Sequence, residues 1–477
     1  MRLTPLVLAM AVIAGPALAA DDTQALRAEL KRLSERLEVL EKHNQEMEKA
    51  LASDRVSEKE PEIASRLKAI EFQTLSMQKQ ARQIESLKGI TVGASLAGVV
   101  QSADKNSTAS GERETRANYR GDISVTLPGG EMGDTEGKIF THLQFGQGKG
   151  VGLRPTYTST PNSIAFQVGS VAADDSFAIL AEAWYQLKIP LLNGGAKANA
   201  REHLHFTFGK IDPFVFFDQN VIADDESVKF LNNAFVHNPL LDSGGDIGAD
   251  AYGYAPGAIL QYSNEHNKGS EWTLSLGVFG ASGKNRAANS ANFNGNLSSP
   301  LVIAQAQTAA RFNYLPGNYR IYLWRNGQGV DYDNSQRRHT GIGVSADQKV
   351  TDELTVFGRY GHQIQGKVRF DRALTLGGEL NGGQWGRAAD KVGFAAGALR
   401  TSRSFRNDSP VVDANNDGIA DLGYQASGTE NQFELYYRVK VNSRLELTPD
   451  FQWIRRPGGD GTAQAIKVVG LRAKVGF

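Results

Sequence analysis

The sequence predicts an all-β transmembrane barrel of about 16 antiparallel strands with an infolded constriction loop, preceded by an α-helical coiled-coil stalk. Three observations carry this expectation. They are an apolar leader, a heptad pattern that runs out before Gly89, and a period-two alternation from Gly89 to Phe477.

The leader MRLTPLVLAMAVIAGPALA has a basic residue at Arg2, an apolar run from Leu6 to Ala14 and the small-x-small site Ala17-Leu18-Ala19. That is the layout of a secretory signal peptide over residues 1–19, and its apolar run is too short to span a bilayer. The 477 residues include no cysteine, which excludes a disulfide framework. With 52 basic and 52 acidic residues the charge balances, so there is no electrostatic case for nucleic acid.

Leu26, Leu30, Leu33, Leu37, Leu40, Asn44, Met47 and Leu51 follow alternating four- and three-residue steps, the period of a coiled-coil seam. Pro61 interrupts the pattern, which resumes with Ile63, Leu67, Ile70, Thr74, Met77, Ala81 and Ile84. Residues 20–88 are therefore expected to form an oligomerising periplasmic stalk. Leu at both seam positions does not separate dimer from trimer cleanly; a homotrimer is favoured, and contact with peptidoglycan is a further expectation.

From Gly89 the texture changes. Along Ile139-Phe140-Thr141-His142-Leu143-Gln144-Phe145, His142 and Gln144 share one face, and Leu445–Trp453 and Val469–Phe477 alternate likewise. A soluble sandwich would bury the apolar faces, whereas a barrel turns them to lipid. Aromatics near strand ends (Trp184-Tyr185, Tyr436-Tyr437, Trp453) suit interfacial girdles. The polar faces carry Arg120, Asp122, Glu182, Lys188, Arg359, Glu434, Arg438, Arg472 and Lys474. A dry core would penalise so many charges, while a watery lumen hydrates them. With His142 and Trp184 they make the candidate pore lining.

Alternating segments lie near 90–101, 116–127, 137–147, 181–190, 203–211, 256–263, 271–280, 302–313, 318–326, 339–348, 353–362, 391–399, 431–439, 444–454 and 465–477. Keeping the long stretch 212–254 on the outer side places 163–170 in an outer loop and a missing upstroke near 402–411. The total is then about 16, large enough for an aqueous channel. Passive diffusion of small hydrophilic solutes is the expected function.

The stretch 212–254 is too aromatic to remain in solvent, and folding it into the barrel mouth covers it and narrows the pore. Asp212, Phe214, Phe217, Asp218, Asn220, Asp224, Asp225, Glu226, Phe230 and Asn232 are the candidate constriction residues. Aromatic faces beside carboxylates and amides suit sugars, whose C–H faces stack while hydroxyls hydrogen-bond.

GKIDPFVFFDQNVIADDESVKFLNNAFVHNP, with GKIFTHLQFGQG before it and LELTPDFQWIRRPGG…GLRAKVGF near the C-terminus, resembles the carbohydrate-selective porin family of OprB type. The likeness runs from about Gly89 to Phe477. It implies a 16-stranded outer-membrane barrel with an infolded constriction loop that takes up neutral sugars. The stalk is not a feature of the shorter family members, and several loops are enlarged.

Asp413, Asn415, Asp417 and Asp421 occupy positions 1, 3, 5 and 9 of a calcium-loop pattern, with Gly418 at 6 but Tyr424 at 12. No cofactor is expected; a structural calcium is the one candidate exception, against the alternative of a plain Asx-rich turn. No Gly-x-Ser-x-Gly elbow occurs, so an enzyme is disfavoured. An anion- or phosphate-type porin needs a basic ladder, and the candidate loop offers Lys229 amid many acids. A general porin, or a conduit enclosing a partner protein, completes the alternatives.

Overall fold

The computed structural model describes residues 42, 89–157, 160–166, 177–192, 197–241, 252–281 and 296–477. The signal peptide at 1–19 and, Lys42 apart, the stalk at 20–88 lie outside the described residues.

The alternating segments form sixteen strands. The first eight are β1 (Thr91–Ala103), β2 (Glu114–Met132), β3 (Thr135–Gln147), β4 (Phe177–Pro190), β5 (Glu202–Ile211), β6 (Ala255–Asn264), β7 (Trp272–Ala281) and β8 (Asn296–Phe312). The others are β9 (Leu315–Val330), β10 (Gln336–Lys349), β11 (Leu354–Gln365), β12 (Phe370–Gly382), β13 (Arg387–Thr401), β14 (Thr429–Lys440), β15 (Leu445–Arg455) and β16 (Ile466–Gly476). Each pairs with its chain neighbours, and β1 pairs antiparallel with β16 to close the barrel. Closure removes the sheet edges, so every strand's backbone groups find partners within the wall.

Alternation decides which face is which. On β9, Ile321 and Leu323 are exposed while Tyr322 and Trp324 are buried; on β12, Leu374 and Leu376 are exposed while Ala373 and Thr375 are buried. The apolar set faces outward, as lipid requires. Inward aromatics need small residues beside them: a Cβ on Gly341 would sit 2.1 Å from the Trp324 ring, and one on Gly343 2.3 Å from that of Tyr322.

Connections alternate between short turns, such as 313–314 and 350–353, and long loops, such as 212–254 and 402–428. The described part of 163–170 is loop, as expected. The upstroke expected near 402–411 is not a strand. Arg403–Asp408 is a short helix, capped by Ser402, whose Oγ accepts from Phe405 N at 3.1 Å. The missing strand is β12, whose alternation fades at Gly377-Gly378, and 391–399 therefore runs upward as part of β13. The aromatic girdle also needs correcting. Trp184 and Tyr436 face the lumen and are buried, whereas Tyr185 and Tyr437 stand on the opposite parity.

Candidate permeation site

The site begins on three adjacent strands. Register places Asp122 of β2 opposite Gln144 of β3, and His142 of β3 opposite Glu182 of β4, so their inward side chains meet. Asp122 takes Arg120 Nε at 3.2 Å on one oxygen, and His142 Nε2 and Gln144 Nε2 at 3.1 and 2.9 Å on the other. Glu182 accepts Trp184 Nε1 at 3.0 Å and lies 3.5 Å from His142 Nδ1. Charges of both signs are thus held in fixed positions on this wall.

The loop after β5 faces them. Asp212 caps the short 3-10 turn Pro213–Val215, accepting from Phe214 N at 2.9 Å, while its own N–H donates to Glu182 at 3.3 Å. The Phe214 ring stacks on His237, with centroids 3.6 Å apart and planes 3° from parallel. His237 Nε2 lies 3.5 Å from Asp224. Arg120 Nη1 crosses from wall to loop and donates to Glu226 Oε1 at 2.6 Å. Burial, and after it the Glu182 carboxylate, push the Asp212 carboxyl up to about 7, with His237 pulling the other way. Burial also opposes ionisation of Asp225, but Lys474 and Ser227 outweigh it and hold that carboxyl below its ordinary range.

Between wall and loop lies a cavity of about 470 Å³. Arg120, His142 and Glu182 line it from the wall, and Asp212, Phe214, Asp224, Asp225 and Glu226 from the loop. Positive and negative groups therefore face one another beside an aromatic ring. That arrangement can hydrogen-bond hydroxyls, stack on a C–H face and pass polar solutes without attracting one sign of ion strongly.

The other face of the loop is fastened to the remaining wall. Asp218, in a left-handed conformation at φ 54°, accepts Tyr322 OH at 2.7 Å, Arg359 Nε at 3.1 Å and Asn238 N at 2.7 Å. Arg359 also donates to the carbonyls of Asp218 and Phe235 at 2.9 and 3.1 Å. Asn220 donates to Ser345 Oγ at 3.2 Å. Glu434 receives Leu231 N and Asn232 N at 2.5 and 3.0 Å, and Asn232 Nδ2 reaches Gln452 at 3.2 Å. Asn232 also caps the one-turn helix Asn233–Val236. Arg472 Nη1 donates to the carbonyls of Glu226 and Lys229 at 2.8 and 2.7 Å, and Arg438 to that of Val228 at 3.4 Å. Phe217 meets Phe279 edge-on, and Phe230 packs with Phe235, Phe357 and Tyr436.

The expected residues therefore separate into two groups. Arg120, His142, Glu182, Asp212, Phe214, Asp224, Asp225 and Glu226 surround the cavity, and Asp122 orients two of them. Phe217, Asp218, Asn220, Phe230, Asn232, Arg359, Glu434, Arg438 and Arg472 hold the loop against the wall instead. Trp184 is buried between Phe140 and Phe216, and Lys188 stands away from the cavity, in register with Glu136 and His205. Sequence reading missed His237, Gln144 and the contribution of the preceding outer loop, whose Thr160, Ser163 and Phe166 also line the cavity. Pro161 O accepts from Gln101 and Gln452 at 2.9 and 2.7 Å, which brings that loop inward. Tyr252 and Tyr254, near the end of the same stretch 212–254, also line the cavity.

In the outer loop 402–428 the carboxylates of the calcium-like pattern accept backbone donors. Asp413 takes Asp417 N and Gly418 N at 3.1 and 2.8 Å, and Asp421 takes Ala414 N at 3.0 Å. Among the described residues no group of three or more His, Cys, Asp or Glu is arranged to hold a metal ion.

The family model for the carbohydrate-selective porin, OprB family, matches residues 66–477. A structure of Pseudomonas putida OprB at high pH resembles the chain with a TM-score of 0.63 at 17% identity, covering 83% of this chain and 96% of that one. A variant of Rh. blastica porin aligns with a TM-score of 0.45 at 11% identity, over 81% of this chain and 100% of that one. No curated protein matches the sequence. The closed sixteen-stranded wall, the loop folded into its lumen and the family match over most of the chain lead to one assignment: this chain belongs to the OprB family of carbohydrate-selective porins and is a passive outer-membrane channel.

Proposed function

We infer that the channel passes small neutral sugars, and that selection occurs between Phe214 and the Arg120–Glu226 bridge. The observation that carries this reading is the cavity of about 470 Å³, which sets an aromatic ring beside opposed carboxylates and a guanidinium. Sugars offer C–H faces for the ring and hydroxyls for the charged groups, and hydrogen bonds to ionised partners are the stronger ones. Arg120 is neutralised by Asp122 and Glu226 on either side, which disfavours the anion- or phosphate-type reading.

Planar-bilayer recording tests this directly. Glucose or maltose is expected to block part of the ion current, and Phe214→Ala to weaken the block without closing the pore. No block together with strong anion selectivity would move the assignment to an anion-type pore.

Two subsidiary proposals concern assembly. The heptads at 26–84 support a trimeric periplasmic stalk that reaches toward peptidoglycan; deleting Asp22–Ser86 is expected to weaken oligomers on unheated gels. The spacing of Asp413, Asn415, Asp417 and Asp421 supports a weak calcium loop, expected to protect residues 413–421 from protease as millimolar calcium is added.

A further inference from the structure

The lumen accounts for the inward charges but not for a set of cations on the opposite face. Arg325, Arg372, Arg400, Arg455 and Lys467 are exposed and share strand parity with lipid-facing residues. Arg325 follows Leu323, Arg372 precedes Leu374, and Lys467 precedes Val469, all three apolar neighbours being outward and exposed. Arg400 is flanked by the inward, buried Leu399 and Thr401, and Arg455 follows the inward, buried Ile454. All five sit toward the end of the barrel that carries the connections 331–335, 366–369, 402–428 and 456–465, of which the last two are long. Long loops mark the outer side of such barrels.

Their spacing is unfavourable by itself. Arg372 and Arg400 are direct cross-strand partners on β12 and β13, and like charges directly opposite destabilise a sheet. Among the described residues none of the five has a carboxylate within ion-pair distance. Cations on the inward parity do have partners: Lys349, Lys391 and Lys440 pair with Asp352, Glu379 and Glu446. Over β1–β8 the outward positions at the outer ends are mostly neutral. An unneutralised row therefore covers one half of one rim.

We propose that this row, centred on Arg372 and Arg400, binds phosphate-bearing glycolipid headgroups of the outer leaflet. An anion between the two guanidiniums converts their repulsion into two charge-assisted contacts, and guanidinium matches phosphate in bidentate geometry. The aliphatic stems lie along the apolar wall while the charged ends reach the headgroup level. The proposal rests on the outer-membrane assignment but not on which solute the pore passes.

The test uses the full chain in phosphatidylcholine nanodiscs containing a few mole per cent of bis-phosphorylated lipid A or its dephosphorylated counterpart, with bound lipid counted by native mass spectrometry. The wild-type barrel is expected to retain the phosphorylated form preferentially and to lose it as salt is raised. Arg372→Gln with Arg400→Gln is expected to lower retention about 30-fold, the scale of two basic side chains at an anionic lipid surface. Heat-modifiable gel mobility and conductance should stay unchanged, and Arg372→Lys with Arg400→Lys should keep most of the retention. Equal retention of the two lipids by wild type overturns the proposal whether or not the variants fold. So does unaltered retention in the Gln pair, or displacement of the lipid by inorganic phosphate at matched concentration. A change in oligomer size without a change in bound lipid would assign the row to a second copy of the chain instead.

Discussion

Along β7–β16 the infolded loop is fastened to the wall by buried groups, whereas along β2–β4 a cavity separates the two and the Arg120–Glu226 bridge crosses it. Asp218 and Arg359 have side chains with no exposure at all, but Arg120 and Glu226 keep 11% and 20% of theirs. The same residue types serve both arcs, and what separates their roles is desolvation. A dry carboxylate must be fully partnered and becomes a rivet, while a wet one stays available to solute. Breaking the fastened arc should therefore change the size of the pore, and breaking the open arc its selectivity.

The largest effect is expected from Arg359→Met. It strands the Asp218 carboxylate in a dry site, at a cost of about 3–5 kcal/mol. The loop should undock, so single-channel conductance rises and residues 212–241 become cleavable by protease. Adding Asp218→Asn should recover part of the loss, since the two groups are directly coupled. Conductance and cleavage matching wild type in Arg359→Met would remove this pair as an anchor.

Phe230→Ala comes next. Phe230 is 1% exposed within a cluster of Phe235, Phe357 and Tyr436, and truncating it costs about 3 kcal/mol. The expected readout is a noisier open channel and a lower unfolding temperature, with sugar affinity changed less than by Phe214→Ala. A reversed order of those two variants on sugar block would mean that the dry face contacts solute.

Glu226→Gln tests the open arc. Partly solvated pairs are worth about 1 kcal/mol or less, so stability should scarcely move. Freed from that carboxylate, Arg120 should shift the reversal potential in a salt gradient toward anions. An unshifted potential would place the ion path away from the bridge.

How much of this was legible in sequence depends on what a period of two can carry. Strands with bulky outward residues, such as Ile321 and Leu323, were readable because lipid demands them. β12 was not, because Gly377-Gly378 erases the side-chain signal after Leu374 and Leu376. The upstroke was then assigned to 402–411, where Ser402 caps a helix. The constriction loop was legible from its length and aromatic load. Its two faces were not, since Asp218 and Asp224 look alike in a sequence and differ only in whether wall groups or water surround them. His237 carried no local signal either; its partners Phe214 and Asp224 lie well upstream in the chain.

The smallest effect is a pH dependence at Asp212. Its folded carboxyl titrates at about 7, well above the ordinary value of about 3.9. The folded chain therefore binds more protons than the unfolded chain between those values, and stability falls as pH rises through that window. Below the window the group is neutral in both states and costs nothing; above about 7 it is ionised in both and the full cost of burying the charge is present. Ionisation also adds one negative charge beside the path, worth about 1 kcal/mol at close range in a water-like medium, so cation preference should rise from pH 5 to pH 8. Asp212→Asn keeps an acceptor for Phe214 N and should flatten both the stability and the selectivity profiles. A variant whose profiles still slope like wild type would assign the titration to another group, with Glu182 and His237 as the neighbours to test.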